Sequence, residues 1–359
     1  MVAHHRIFRI IVWTISVFAI SSPLQAETEL GVAHIGGLYS FTETDYLNEG
    51  ASAALKMGAR CIKVSLSLGT ENPSSKLYAF HSDWPVVESL DELADTPYFR
   101  ALFSSDFDTF ILNTFRPGRP GAYWRDGLND ADEKSEEECI ASLTRFLLRK
   151  YGKTGKTFVI QNWEGDWALR GSFDPAGIPS DLATASMIRW LAARQRGVER
   201  ARNEWEGATA KVFHACEVNL VLQAMESNAP SVTTDVLPHL RIDLVSYSAW
   251  DTKNSPSKFF EALQFIAKHK EPTKPFGAKG VYVGEFGLPE SESTPEEAFE
   301  RTSSLLAKAR SFGCPYAVYW QLYCNEPVKI PPKVNTDYKG FWIIRPDGSY
   351  SGVRALFEK

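Results

Sequence analysis

Eight short β-rich runs alternate with stretches of helical periodicity between residues 29 and 323, and nothing else in the sequence restricts the fold as tightly. The runs are ELGVAHIGG (29–37), RCIKVSLS (60–67), FDTFILNTF (107–115), KTFVIQNWE (156–164), KVFHACEVNLV (211–221), IDLVSYSAW (242–250), GVYVGEFG (280–287) and YAVYWQLY (316–323). Helical patterns lie between them, at 45–58, 135–152, 186–205, 257–270 and 294–313; the last opens on Thr294-Pro295-Glu296-Glu297 and closes at Gly313, residue types that start and stop helices. Strands that alternate with helices pair in parallel through crossovers. Eight such units predict a closed (β/α)8 barrel, a single TIM-barrel domain over 27–359. An open doubly wound sheet is the competitor, but HIGGLYS (34–40) lacks the G-x-G-x-x-G phosphate turn expected after its first strand.

The first 26 residues read differently. Arg6 and Arg9 precede an apolar run that ends near Pro23 and the small Ala26, and polar residues follow. This is the architecture of a secretory signal peptide, with cleavage expected after Ala26 and a secreted or periplasmic product. The apolar run is short for a membrane span. A net charge of −5, a pI near 5.9 and the absence of a basic run argue against a nucleic-acid partner. The five cysteines show no CxxC spacing, and Cys314 and Cys324 bracket one strand, too far apart to bond. No disulfide framework, metal cluster or cofactor is therefore expected. Ten tryptophans suit either a large core or stacking on the flat faces of sugar rings.

FVIQNWEGDW (158–167) poses the sharpest local question, because an apolar run ends in Glu164 and Asp166 between Trp163 and Trp167. Burying an unpaired charge is costly. A barrel removes the conflict: the C-terminal ends of its strands open into a mouth, where a carboxylate is half-buried yet reaches a cleft. Glu164 ends the fourth run and Glu285 lies near the end of the seventh, so the two meet across the barrel axis. Alternation along a strand places Asn162 on Glu164's face and turns Trp163 away. The segment 116–138, rich in Gly, Pro and charge, reads as a loop over the mouth until a helix near Glu136, and brings Tyr123 and Trp124 towards a ligand. Glu217 and Asn219 share a face of the fifth run and either border the cleft or pair in the interior. His34 reads as a structural histidine.

On these residues the chain resembles the retaining glycoside hydrolases of clan A, the 4/7 superfamily, over roughly residues 29–323. VGEFG (283–287) looks like that group's nucleophile strand and QNWEGDW (161–167) occupies the place of its acid/base strand. The resemblance implies Glu285 as nucleophile and Glu164 as acid/base, with Asp166 a rival for the second role. It further implies that Lys63, in CIKVSLS, stands where many members carry an arginine, and that Tyr247 and Trp250, in SYSAW, lie near the nucleophile. Trp320, in VYWQLY, matches the tryptophan that closes the eighth strand as a sugar platform, and Asn162 would hydrogen-bond a sugar hydroxyl. The chain departs from the group in carrying Asn162 two positions before Glu164 rather than immediately before it. Its one Asn-Glu-Pro string, Asn325-Glu326-Pro327, follows the eighth run, in the wrong order for an acid/base, and reads as a mouth-loop feature or a coincidence.

The implied activity is double displacement on a β-linked glycan, in which one carboxyl holds a proton and the other is an anion, about 5–5.5 Å apart. The substrate would be an oligo- or polysaccharide. The alternative is a carbohydrate-binding protein on the same scaffold without catalysis, since fold alone does not fix function.

Overall fold

The computed structural model describes residues 28–274, 276–277 and 280–358; the expected signal segment, 1–26, lies outside the described residues. Eight parallel strands, β1 Glu29–Ala33, β2 Cys61–Ser67, β3 Thr109–Phe115, β4 Thr157–Gln161, β5 Lys211–Val218, β6 Leu244–Ser248, β7 Val281–Phe286 and β8 Tyr316–Tyr319, close in sequence order into a barrel. Each falls inside one of the eight runs read from the sequence. Among the described residues, no helix is long and apolar enough to cross a membrane.

Alternation along the strands divides the apolar side chains between two cores. Val64, Phe110, Ile160, Val245, Val281 and Val283 point outwards and pack with the surrounding helices. Cys61, Ile111, Val159, Phe213, Leu244, Tyr282 and Val318 point inwards and fill the barrel. The interior is thus a packed layer rather than a pore, as barrel geometry requires at this strand number. Towards the C-terminal ends the filling turns polar: Lys63, Asn113, Gln161 and Glu217 are all fully buried there. Gln161 Nε2 donates to Asn113 Oδ1 at 2.9 Å and to Glu217 Oε2 at 3.0 Å, which joins β3, β4 and β5 beneath the mouth.

The segment after β3 departs from expectation. Its helix, Asp130–Tyr151, begins six residues before Glu136, because Asn129 caps it through Asp132 N and acidic Asp130, Asp132 and Glu133 complement the positive N-terminal end. The charges that made the segment read as loop belong to the first helical turn. Trp124 is fully buried and stacks on Trp190 with ring centroids 5.4 Å apart, while Tyr123 donates to Glu136 Oε2 at 2.8 Å.

Candidate active site

Glu285 owes its direction to a break in the strand. Simple alternation would send it outwards with Val281 and Val283. The ladder to β6 slips instead: Tyr247 pairs with Val283 and Ser248 with Glu285, so Gly284 is passed over in a bulge. The glycine leaves room for the Ser246 hydroxyl, since a Cβ would stand 1.8 Å from Ser246 Oγ and force it to turn away. The bulge turns the carboxylate into the mouth. Lys63 Nζ meets Glu285 Oε1 at 2.7 Å, Trp163 Nε1 donates to the same oxygen at 2.9 Å, and Trp250 Nε1 donates to Oε2 at 3.1 Å. Three N–H donors from three different elements surround one carboxylate.

Lys63 is buried at the centre of β2 and also reaches Glu217 Oε2 at 3.3 Å and Gly284 O at 3.3 Å. Burial opposes its charge, but Glu285 and Glu217 outweigh that opposition and hold the ammonium above its ordinary value. One cation therefore serves two buried carboxylates.

Glu164 is mounted otherwise. β4 ends at Gln161, and Glu164 lies three residues beyond it at φ 58 and ψ 53, the left-handed region, as the residue before a short helix Gly165–Arg170. For a residue with a Cβ that conformation costs about 1–3 kcal/mol and persists only where its surroundings enforce it. The enforcement comes from the end of β5. Glu217 N donates to Asn162 Oδ1 at 3.0 Å, and Glu164 N returns a bond to Glu217 Oε1 at 2.8 Å. One turn further on, Asn219 N donates to Asp166 Oδ2 at 2.7 Å and Asp166 N to Asn219 Oδ1 at 3.3 Å. Asn219 Nδ2 donates to Glu164 Oε2 at 3.0 Å. Desolvation, then the neighbouring Glu285 and Glu217, push Glu164 well above the usual carboxylate range, against weaker opposing effects of Lys63 and Asn219. The apolar-to-acidic string that opened the question is thus a clasp: Asn162 and Asp166 lock the turn, and Glu164 is what the turn presents.

Two cavities flank Glu164. One, of about 410 Å³, is lined by both Glu164 and Glu285, with Trp163, Trp250, Trp320 and Phe341 among its walls. The other, of about 440 Å³, is lined by Glu164 but not Glu285, with Trp167, Phe173 and Arg125. Trp163 and Glu164 border both. A larger hollow of about 920 Å³ opens at the opposite end, around Thr157, Lys211 and Tyr316, and shares none of these carboxylates.

The structure brings Glu164, Glu285, Lys63, Trp250 and Trp320 to the mouth. Trp320 lies 6.0 Å from Trp163 between ring centroids and donates to Glu326 Oε1 at 3.1 Å, so Asn325-Glu326 is a mouth-loop feature, and both of those residues line the Glu285 cavity. Tyr247 is not brought there. Ser246 and Ser248 hold the inward positions of β6, so Tyr247 points out, stacks on Phe259 and donates to Asp251 Oδ1 at 2.5 Å. Asn162 borders the Glu164 cavity, but its carboxamide oxygen is engaged by the Glu217 amide. Asp166 is fully buried, with its carboxylate on the Asn219 and Val232 amides; burial raises it to about 6, and it faces neither cavity. Trp163 points into the mouth, against expectation: it keeps the inward parity of Val159 and Gln161, and it is Glu164 that leaves the outward parity of Ile160 through its left-handed turn. His34 is a packing residue, bonded to Tyr46 O at 2.9 Å and lowered to about 4 by burial.

A closed eight-stranded parallel barrel with carboxylates facing one cavity from the ends of β4 and β7 defines a class of (β/α)8 proteins. No family model matches the sequence, and no curated protein is significantly similar to it. Solved structures are similar in fold. The exo-β-1,4-mannosidase Op5Man5 from Opitutaceae bacterium strain TAV5 superposes with a TM-score of 0.55 at 12% identity, over 92% of this chain and 58% of that one. A GH5-4 broad specificity endoglucanase from Clostridium acetobutylicum gives 0.53 at 11%, over 92% of this chain and 97% of its own. A GH5_18 protein from Bifidobacterium longum subsp. longum, in complex with Manβ1-4GlcNAc, gives 0.56 at 12%, over 92% and 77%. At these identities what is shared is the fold, a closed eight-stranded parallel (β/α)8 barrel. The chain spans 58% of the length of the mannosidase.

Proposed function

We propose that this chain is an exported retaining glycoside hydrolase acting on a β-linked glycan. The observation that carries the reading is the contrast between two carboxyls on one cavity: Glu285 receives three donors, one of them a lysine, whereas Glu164 has a single amide and two acidic neighbours. Double displacement requires that contrast. Glu285 attacks the anomeric carbon while the bond to the leaving oxygen breaks and Glu164 gives that oxygen its proton. A water then loses a proton to Glu164 and attacks the same carbon, which frees Glu285. A leaving group sits beside the acid and away from the nucleophile. The sugar to be transferred accordingly occupies the Glu285 cavity, over Trp250 and Trp320, and the departing part occupies the cavity of Trp167 and Phe173. The β-1,4-mannosidase and the Manβ1-4GlcNAc complex among the similar structures support the linkage, and the sequence of residues 1–26 supports export.

The test uses mature chain and Glu285→Gln on aryl β-glycosides and β-linked polysaccharides, with the first-formed anomer read by proton NMR. Expected are a retained anomer and a loss of about 10⁴-fold or more in the variant. An inverted anomer, or a variant near the wild-type rate, would remove Glu285 from the mechanism. Binding of the glycan without turnover would leave a carbohydrate-binding protein.

A further inference from the structure

The mouth holds a third carboxylate. Glu217 is fully buried and lines neither flanking cavity, so it does not touch a substrate. It nevertheless contacts the machinery on both sides. Its Oε1 accepts the Glu164 N–H, and its Oε2 accepts from Gln161 Nε2 and Lys63 Nζ. Its own N–H binds Asn162, and a Cβ on Gly165 would stand 1.9 Å from its carbonyl oxygen. Residues 162, 164 and 165 of the turn all rest on this one residue of β5.

We propose that Glu217 is the positioning residue of the acid/base: one oxygen fixes the left-handed turn that aims Glu164, and the other divides Lys63 with Glu285, so that the ion pair on the nucleophile and the proton on the acid are set together. The proposal rests on the glycosidase reading and extends it. The charge count follows from the geometry. Facing Glu164 are Glu285 from β7, Glu217 from β5 and Lys63 from β2; the ion pairs Lys253–Glu292 and Lys339–Glu326 lie across one cavity, and Glu71 and Arg125 across the other. Facing Glu217 are Lys63, Glu285, Glu164, the Cys216 thiol and the Tyr282 phenol. A single lysine stands among three carboxyls at the centre and bonds two of them, Glu285 and Glu217, which leaves Glu164 without a cation of its own. Burial lifts Glu217 to about 7, yet its three polar contacts are all donors, which suits an anion. Glu164 has one, and is the group left to hold the proton.

Glu217→Gln keeps an oxygen for the Glu164 N–H and removes the charge. An anion beside Glu164 favours its protonated form, so neutralising that anion lets Glu164 ionise at lower pH. The basic limb of kcat/KM, which reports loss of the acid's proton, moves down by about one pH unit. The ¹³C-carboxyl titration of Glu164, assigned through the spectrum of Glu164→Gln, moves with it. Glu217→Ala removes support as well as charge and lowers kcat about 100-fold with little change in KM. A Glu164 midpoint unmoved in Glu217→Gln, or a rate lowered equally at every pH, would overturn the proposal. The NMR titration needs no substrate. Wild-type inactivity on every glycoside would therefore sink the glycosidase reading while the midpoint still decides for or against Glu217, and Glu217→Gln decides if Glu217→Ala does not fold.

Discussion

The end of β7 and the end of β4 present the same functional group by opposite means. Glu285 stays within its strand, turned inwards by a one-residue bulge, and is met by Lys63, Trp163 and Trp250 from three separate elements. Glu164 lies beyond its strand, in a left-handed conformation enforced by side chains of the neighbouring strand's end, with one amide for company. A group that must remain an anion gains from several donors fixed around it, one of them a lysine buried within the sheet and two of them indoles just beyond its strands. A group that must give up and regain a proton gains from few donors and from nearby negative charge. Under the proposed function, the mounting of each carboxyl matches the task assigned to it.

The contrast breaks first at Glu164. Glu164→Ala should lower kcat by about 10²–10⁴-fold on glycans with poor leaving groups. Activated aryl glycosides should lose less, and azide, which needs no base, should attack the glycosyl-enzyme and restore turnover as a glycosyl azide. Unchanged hydrolysis of an unactivated glycan would take the proton-donor role away from Glu164. Lys63 tests the other end. Lys63→Met leaves Glu285 and Glu217 buried together without a cation, a change that costs about 3–5 kcal/mol in denaturant unfolding. Lys63 holds Glu217 down against its burial, so without the cation Glu217 rises further and the deficit grows as pH rises through its titration. A deficit equal at pH 5 and pH 8 would show that Lys63 does not neutralise the pair.

The barrel was legible because alternation is written in residue type: each β-rich run contains one observed strand, and Glu164 and Glu285 fall at the mouth simply by ending or nearly ending their runs. What period-two reading could not supply are its own interruptions. The bulge at Gly284 and the left-handed turn at Glu164 each bring inwards a carboxylate that alternation alone sends outwards, and Trp163, which follows inward Val159 and Gln161, falls on the wrong side when Glu164 is set inwards by parity. Gly284 was the available signal, a glycine inside a strand otherwise built of valine, aromatic residues and Glu285. Tyr247 shows the reverse error: β6 keeps its period up to Ser248, and parity with inward Leu244 already excluded an odd-numbered neighbour. Glu217 shares parity with inward Phe213 and Ala215 and could be placed in the interior; its bond to a backbone amide 53 residues away could not. The helix at Asp130 was hidden by its acidic first turn, which reads as solvated loop until its cap is seen.

The finest test of the contrast needs no substrate. Glu164 has a raised pKa in the folded chain and an ordinary one, near 4.5, when unfolded. Between those values the folded state binds a proton that the unfolded state has lost, so stability falls as pH rises through the window. Asp166, raised to about 6, contributes in the same direction. These two carboxyls contribute a decline from about pH 4.5 towards neutrality, while buried His34 and His214, both lowered from 6.5, contribute a rise over the acidic part of that range, so the test is the difference between variant and wild type. Glu164→Gln has no proton to lose at that position. Its unfolding free energy should decline less steeply across the same range and exceed that of wild type at neutral pH, measured by urea titration at several pH values. Glu285→Gln forfeits a carboxylate that three donors stabilise, and should be less stable than wild type at neutral pH. If both variants moved the curve in the same direction, the two carboxyls would be held alike and the division of roles drawn from their surroundings would fall.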